Sequence, residues 1–194
     1  MAVRAQIRHS LAVALIAGGC ASAPPPPEWQ ANAAGSLQVF QARYLAGDAK
    51  GADDAFAFAR SELTATGRPD LVARAELIRC AAQVASLVFE PCTGFEALRA
   101  DAGAEETAYA DYLEGRVPRA ATPEPLSQLV AYGVQMRTAR ITPEGIVAAA
   151  DIASRQGWRR PLLAWLGVQL KRAEAAGDSE TAARLRRRIE LASG

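Results

Sequence analysis

The chain has 194 residues, with 22 basic against 21 acidic side chains, three cysteines and a single histidine. Half of the residues are apolar and 22% are charged, which excludes a disordered chain, and the near-neutral balance excludes a basic nucleic-acid-binding domain. Alanine alone accounts for 44 positions, and with Leu, Arg, Glu and Gln it makes a composition of strong helix formers whose small side chains let helices approach closely.

Residues Arg4 to Cys20, RAQIRHSLAVALIAGGC, carry the three parts of an export signal: cationic Arg4 and Arg8, an apolar run from Leu11 to Ala17, and small Gly18 and Gly19 before a cysteine. The apolar run is too short to span a bilayer, which takes about 20 residues. The segment IAGGC, Ile16 to Cys20, resembles the lipobox of bacterial lipoproteins, with Ala17 where that family usually carries Leu. The resemblance implies cleavage after Gly19 and acylation of Cys20. It also implies sorting to the outer membrane, periplasmic face, because Ala21 rather than Asp follows the cysteine. An ordinary secretory signal cut near Ala21 to Ala23 and an uncut signal anchor are the alternatives, with the inner membrane or the soluble periplasm as the corresponding locations.

Removal of residues 1–19 leaves about 175 residues, enough for one domain with a sizeable core or two small ones. The balance becomes 20 basic to 21 acidic, and the one histidine, His9, departs with the signal. That removes Ser-His-Asp and Cys-His nucleophilic chemistry and His-containing zinc sites, and nothing in the chain implies a cofactor or a metal. Cys80 and Cys92 remain as an even pair in an oxidising compartment and are expected to form one disulfide.

Residues 20–28 form a lipidated cysteine followed by the proline-rich tether PPPPE, an extended spacer. Apolar residues then recur at helical spacing. Trp29, Ala33, Leu37, Phe40, Tyr44 and Leu45 share a face that Gly47 ends, and Asp48 caps a second helix carrying Ala52, Ala55, Phe56, Ala59 and Leu63. Arg68-Pro69-Asp70 opens a third helix whose wide apolar stripe, Leu71 to Leu87, makes it central to the core and which ends before Pro91. A short helix carrying Phe95 and Leu98 follows and ends near Asp101 to Gly103, and another runs from Glu105 to Leu113 and is stopped by Gly115.

The linker Arg116 to Ala121 divides an N-terminal helical subdomain, 29–115, from a C-terminal one, 122–194. Thr122-Pro123-Glu124 and Thr142-Pro143-Glu144 each combine a capping threonine, a first-turn proline and a dipole-favoured glutamate, and so predict two helix starts. Trp158 to Ala176 and Ser179 to Ala192 complete the chain, joined by Gly177-Asp178, a repeat of Gly47-Asp48. The expected fold is all-α, about eight helices in stacked antiparallel hairpins. Hairpins joined by Gly-Asp turns resemble tetratricopeptide-type stacks, although Tyr44 to Leu77 has that repeat's aromatic and glycine positions out of register. An irregular α-bundle fits the pattern equally.

Two surface sets are candidates for binding a partner. Arg184, Arg187 and Arg188 belong to a basic cluster suited to anionic head groups or an acidic protein surface, and equally to pairing with Glu180 and Glu190 on their own helix. Tyr109, Tyr112 and Tyr132 either line a groove or fill the core. The adjacent carboxylates Asp53-Asp54 and Glu105-Glu106 point about 100° apart on a helix, unlike a catalytic pair across a cleft. The expectation is a non-enzymatic lipoprotein, attached to the bilayer through acylated Cys20 and docking another envelope protein as an accessory or assembly subunit. The alternatives are a cell-wall-acting enzyme using one buried glutamate, such as Glu62, Glu96 or Glu106, and a carrier with a closed apolar cavity.

Overall fold

The first helix, α1 (Glu28–Ala46), follows Pro27, whose φ of −54° and ψ of 143° are those of an extended polyproline segment. The computed structural model describes residues 27–194. The signal, Cys20 and the tether up to Pro26 lie outside the described residues. Ala33, Phe40 and Leu45 of α1 are buried as their spacing requires, and Trp29, Leu37 and Tyr44 pack beside them. The helix stops at Gly47, whose φ of +91° is open to glycine, with its N–H donating to the Tyr44 carbonyl and that of Asp48 to the Arg43 carbonyl. The Asp48 carboxylate then accepts from Gly51 N at 2.9 Å and opens α2 (Ala49–Thr64), so two residues reverse the chain.

The third helix, α3 (Pro69–Ala85), is the central one, packing against α1, α2, α4 (Thr93–Glu96), α5 (Ala104–Leu113) and α6 (Pro125–Arg137). Ten of its 17 residues are buried, five of them alanines, which is how one helix accommodates so many neighbours. It ends at Ala85, short of the stop expected just before Pro91. Leu87 takes a left-handed conformation, φ +60°, and Val88 N closes the turn onto the Gln83 carbonyl. The released segment returns Cys92 to Cys80 with Cα atoms 5.9 Å apart, and the two sulfurs lie at disulfide distance.

The later helices are α7 (Pro143–Gln156), α8 (Arg159–Ala175) and α9 (Ser179–Ser193). Thr142 caps α7 as predicted, its hydroxyl accepting from Gly145 N at 3.1 Å. Its twin shifts by two residues: Glu124, not Thr122, caps α6, accepting from Leu126 N and Ser127 N. A second proline, Pro125, occupies the first helical position there and moves the start.

Among the described residues the chain is all-α, with nine α-helices, one 3₁₀ turn at Arg99–Asp101 and no strand. One hydrophobic cluster fills the space between α1, α2 and one face of α3, and a larger one extends from α3 to Leu185 of α9. The larger cluster runs across the Arg116–Ala121 linker. Gly133 of α6 sits against α3 so closely that a Cβ would overlap the Val84 carbonyl, and buried Trp165 of α8 donates from Nε1 to the Ala85 carbonyl at 3.1 Å. At the other end of the molecule's long-range ties, Arg159 Nε donates to the Ala46 carbonyl at 3.1 Å and Arg160 Nε to that of Tyr44 at 2.8 Å. These two arginines satisfy the carbonyls that end α1, and the Arg160 guanidinium also lies over the Tyr44 ring.

Candidate functional site

Helices α7 and α9 both pack along α8 but scarcely meet each other, so α8 is the floor of a groove with α7 and α9 as walls. Local chemistry explains the shape. Gly177 and Asp178 turn α9 straight back onto α8, with the Asp178 carboxylate accepting from Thr181 N at 3.0 Å, while Gln169 of α8 donates to the Ile146 carbonyl and ties down the opposite wall. The cleft spans about 600 Å³ between Ile146 and Val147 of α7, Gln169, Arg172, Ala173 and Ala175 of α8 with Ala176 just beyond it, and Thr181 and Leu185 of α9. It continues for about 470 Å³ along α9, past Arg184, Arg187, Arg188 and Leu191. A neighbouring cleft of about 530 Å³, beside Met136, Ile141 and Val168, shares Ile146, Arg172 and Ala175 with it.

The groove has small apolar Ala173 and Ala175 beside Gln169 and Arg172 at its base and is cationic along α9. Val147 is 50% exposed and Leu191 83%; Val39, Phe58 and Val117 are exposed elsewhere on the described surface, but only these two lie beside the arginines of the groove. Arg184 is held by Glu180 at 3.2 Å and by the Thr181 hydroxyl. Arg187 and Arg188 make no ion pair among the described residues, and Glu190 does not reach them. Arg186, on the far side of the helix, is taken by Glu174 of α8.

Of the residues nominated from sequence, the fold therefore gathers Arg184, Arg187 and Arg188 at one groove and leaves the three tyrosines elsewhere. Tyr112 is buried in the core. Tyr109 packs against it beneath the Arg119 guanidinium, and burial pushes its phenol up to about 12, so it stays protonated at any ordinary pH. Tyr132 is half-buried beside Gly145.

The glutamates weighed as single catalytic acids have quite different settings. Glu62 is half-buried and accepts from Asn32 Nδ2 at 3.1 Å. The Arg99 guanidinium holds Glu96 below the usual carboxylate range, and Glu106 is lowered by its own backbone N–H and by Arg74. A general acid requires the opposite shift. The one buried carboxylate among the described residues is Glu76 of α3, 2% exposed, which sequence reading passed over. Arg60 Nε donates to its Oε1 at 3.1 Å, and the Arg79 guanidinium lies 2.5 Å from Oε2 as an ion pair off the hydrogen-bond direction. Glu76 thus joins α2 to α3 from within and lines neither the groove nor the clefts beside it. The signal for it is a charge in the middle of the α3 apolar stripe, four residues from Cys80 and three from Arg79. Among the described residues, no three His, Cys, Asp or Glu side chains converge as metal ligands, and no helix is long and apolar enough to cross a membrane.

The architecture and the groove together describe an all-α chain that offers a helix-lined surface cleft. No family model matches the chain, and neither the curated proteins nor the solved structures contain a match to it.

Proposed function

We propose that this chain is an outer-membrane lipoprotein, held at the periplasmic face through acylated Cys20, whose helical body docks another envelope protein as an accessory or assembly subunit without catalysis. The observation that carries the docking half is the groove between α7 and α9, where Val147 and Leu191 stay exposed beside the unpaired Arg187 and Arg188. The anchoring half rests on the signal and lipobox pattern of Arg4 to Cys20. Two or more acyl chains suffice to hold a protein at a bilayer, at about 0.8 kcal/mol per buried methylene, so the body is left free to present its groove.

Each half has its own test. Cys20→Ser should move the protein out of the membrane fraction and abolish metabolic labelling with fatty acid; unchanged membrane attachment would refute the anchor. A photo-crosslinking residue placed at Val147 or Leu191 in cells should give one discrete adduct, and the same residue at exposed Val39 of α1 should give none. Equal adducts from all three positions, or none from the groove, would refute docking there.

A further inference from the structure

Resting on that docking reading, we propose that the occupant of the groove is a single amphipathic α-helix of the partner, with its acidic flank laid along α9 and its uncharged flank along α7. Shape comes first. Two helices that lie on a third without meeting leave the position of one further helix, and the floor offers Ala173 and Ala175, small enough to let a backbone approach at the roughly 8–10 Å of ordinary helix packing. An extended peptide fits less well, because it needs backbone partners. The groove lacks a strand edge, and one N–H of Gln169, the uncharged amide on its floor, is already engaged by the Ile146 carbonyl, too little to pair a peptide backbone along its length. A helix brings its own hydrogen bonds and asks only for apolar contact, which Val147, Leu185 and Leu191 supply.

Charge sets the orientation. The α9 wall presents Arg184, Arg187 and Arg188, and Arg172 stands at the floor, while the carboxylate among the lining residues, Asp178, is engaged in capping α9. The α7 wall contributes Pro143, Ile146 and Val147 and no cation, and Glu144 and Asp151 flank Val147 on its outer side, where they repel an acidic flank. An acidic flank on the incoming helix is therefore matched on one side only, which fixes its register against its own reversal.

The test uses the full chain carrying Cys20→Ser and fluorescent peptides of 17 residues, the length of α8, with leucines at helical spacing in every register. One set has glutamates on one flank, a second has lysines there, and a third has a central proline. Binding is read by anisotropy. The glutamate set should bind; the lysine and proline sets should bind at least about tenfold more weakly. Arg187→Glu with Arg188→Glu should reverse the preference between the first two sets, and Val147→Asp should weaken both. Equal binding of the glutamate and lysine sets, survival of binding in the proline set, or absence of binding in all sets would overturn the proposal. Flotation with phosphatidylglycerol vesicles that is lost in the Arg187→Glu, Arg188→Glu chain would make the basic wall a lipid-facing surface instead. Sedimentation of the free chain as a dimer, reversed by Val147→Asp, would make the occupant a second copy. Peptide binding without a crosslinked adduct in cells would uphold the groove's chemistry and refute the envelope-docking role, so the two readings fail separately.

Discussion

Trp165→Phe isolates the buried contact that joins α8 to the end of α3. The indole is completely buried, and its Nε1 donates to the Ala85 carbonyl at 3.1 Å. That carbonyl ends α3, where no following turn of helix provides an N–H. Phenylalanine keeps most of the apolar volume but strands the carbonyl, at about 1–3 kcal/mol for an unsatisfied buried polar group. The missing ring atoms add about 1 kcal/mol for a small void in a packed core. The expected loss is therefore about 2–4 kcal/mol, read as a fall in the urea midpoint by far-ultraviolet circular dichroism at unchanged m-value. Trp158→Phe, at a partly buried site before α8, is the control and should cost less than about 1 kcal/mol. If Trp165→Phe cost under about 0.5 kcal/mol, as an ordinary surface change does, the inferred role of that hydrogen bond would be wrong.

Gly133→Ala should destabilise by about 1–3 kcal/mol, because the added methyl overlaps the Val84 carbonyl and α6 must retreat from α3. Gly167→Ala meets nothing within 4 Å and should instead stabilise α8 by about 0.5–1 kcal/mol; the pair is compared by thermal melting, and equal effects would refute the close approach. Ala139 lies exposed at φ +54°, where an L-residue is strained by about 1–2 kcal/mol, so Ala139→Gly should raise stability by about 0.5–1 kcal/mol after the entropy of glycine is deducted. A lower melting temperature for that variant would contradict the strain. In acid, Glu96 is lowered by Arg99, Glu106 and Glu144 chiefly by their own backbone N–H groups, and Asp178 by Thr181 N–H. A folded-state value below the unfolded one means that the stabilisation is complete at neutral pH and is lost as pH falls below about 4. The melting temperature should accordingly hold level from neutrality and drop below that point; a level profile down to about pH 3 would refute it.

What the sequence made legible was local. Gly47-Asp48 and Gly177-Asp178 stop one helix and cap the next within two residues, so both hairpins follow from side-chain chemistry that needs no tertiary information. The Cys80–Cys92 approach follows from a short return after α3. What escaped was decided at long range. Arg159 and Arg160 open α8 with positive charge, against the helix dipole, and the resolution lies 113 and 116 residues earlier in the carbonyls that end α1. Such a conflict between a residue and its local setting is itself a readable signal, as is the charge of Glu76 within an apolar stripe. The groove left less trace. Arg184, Arg187 and Arg188 were visible as a basic cluster, but that α7 would stand opposite them across α8 depends on the packing of three helices, which periodicity does not encode.

The placement of α8 connects these features to binding. Its first half is clamped to the body: Arg159 and Arg160 on α1, then Trp165 on the end of α3. Its second half, from Gln169 to Ala175, is the groove floor. The same continuous helix thus carries rigidity from the doubly anchored end to the face that stays open. A cleft whose floor is held in this way is set before a partner arrives, and a preformed site loses less conformational freedom on binding than one that must be ordered. Both walls are tied to the floor. The Gln169 amide holds α7 through the Ile146 carbonyl, and α9 is held by Ala182 and Leu185, a turn of two residues and the Arg186–Glu174 ion pair. An occupant that pairs with Arg187 and Arg188 therefore grips a wall that is itself tied to the floor, and spends its apolar contacts on surfaces that are already in place.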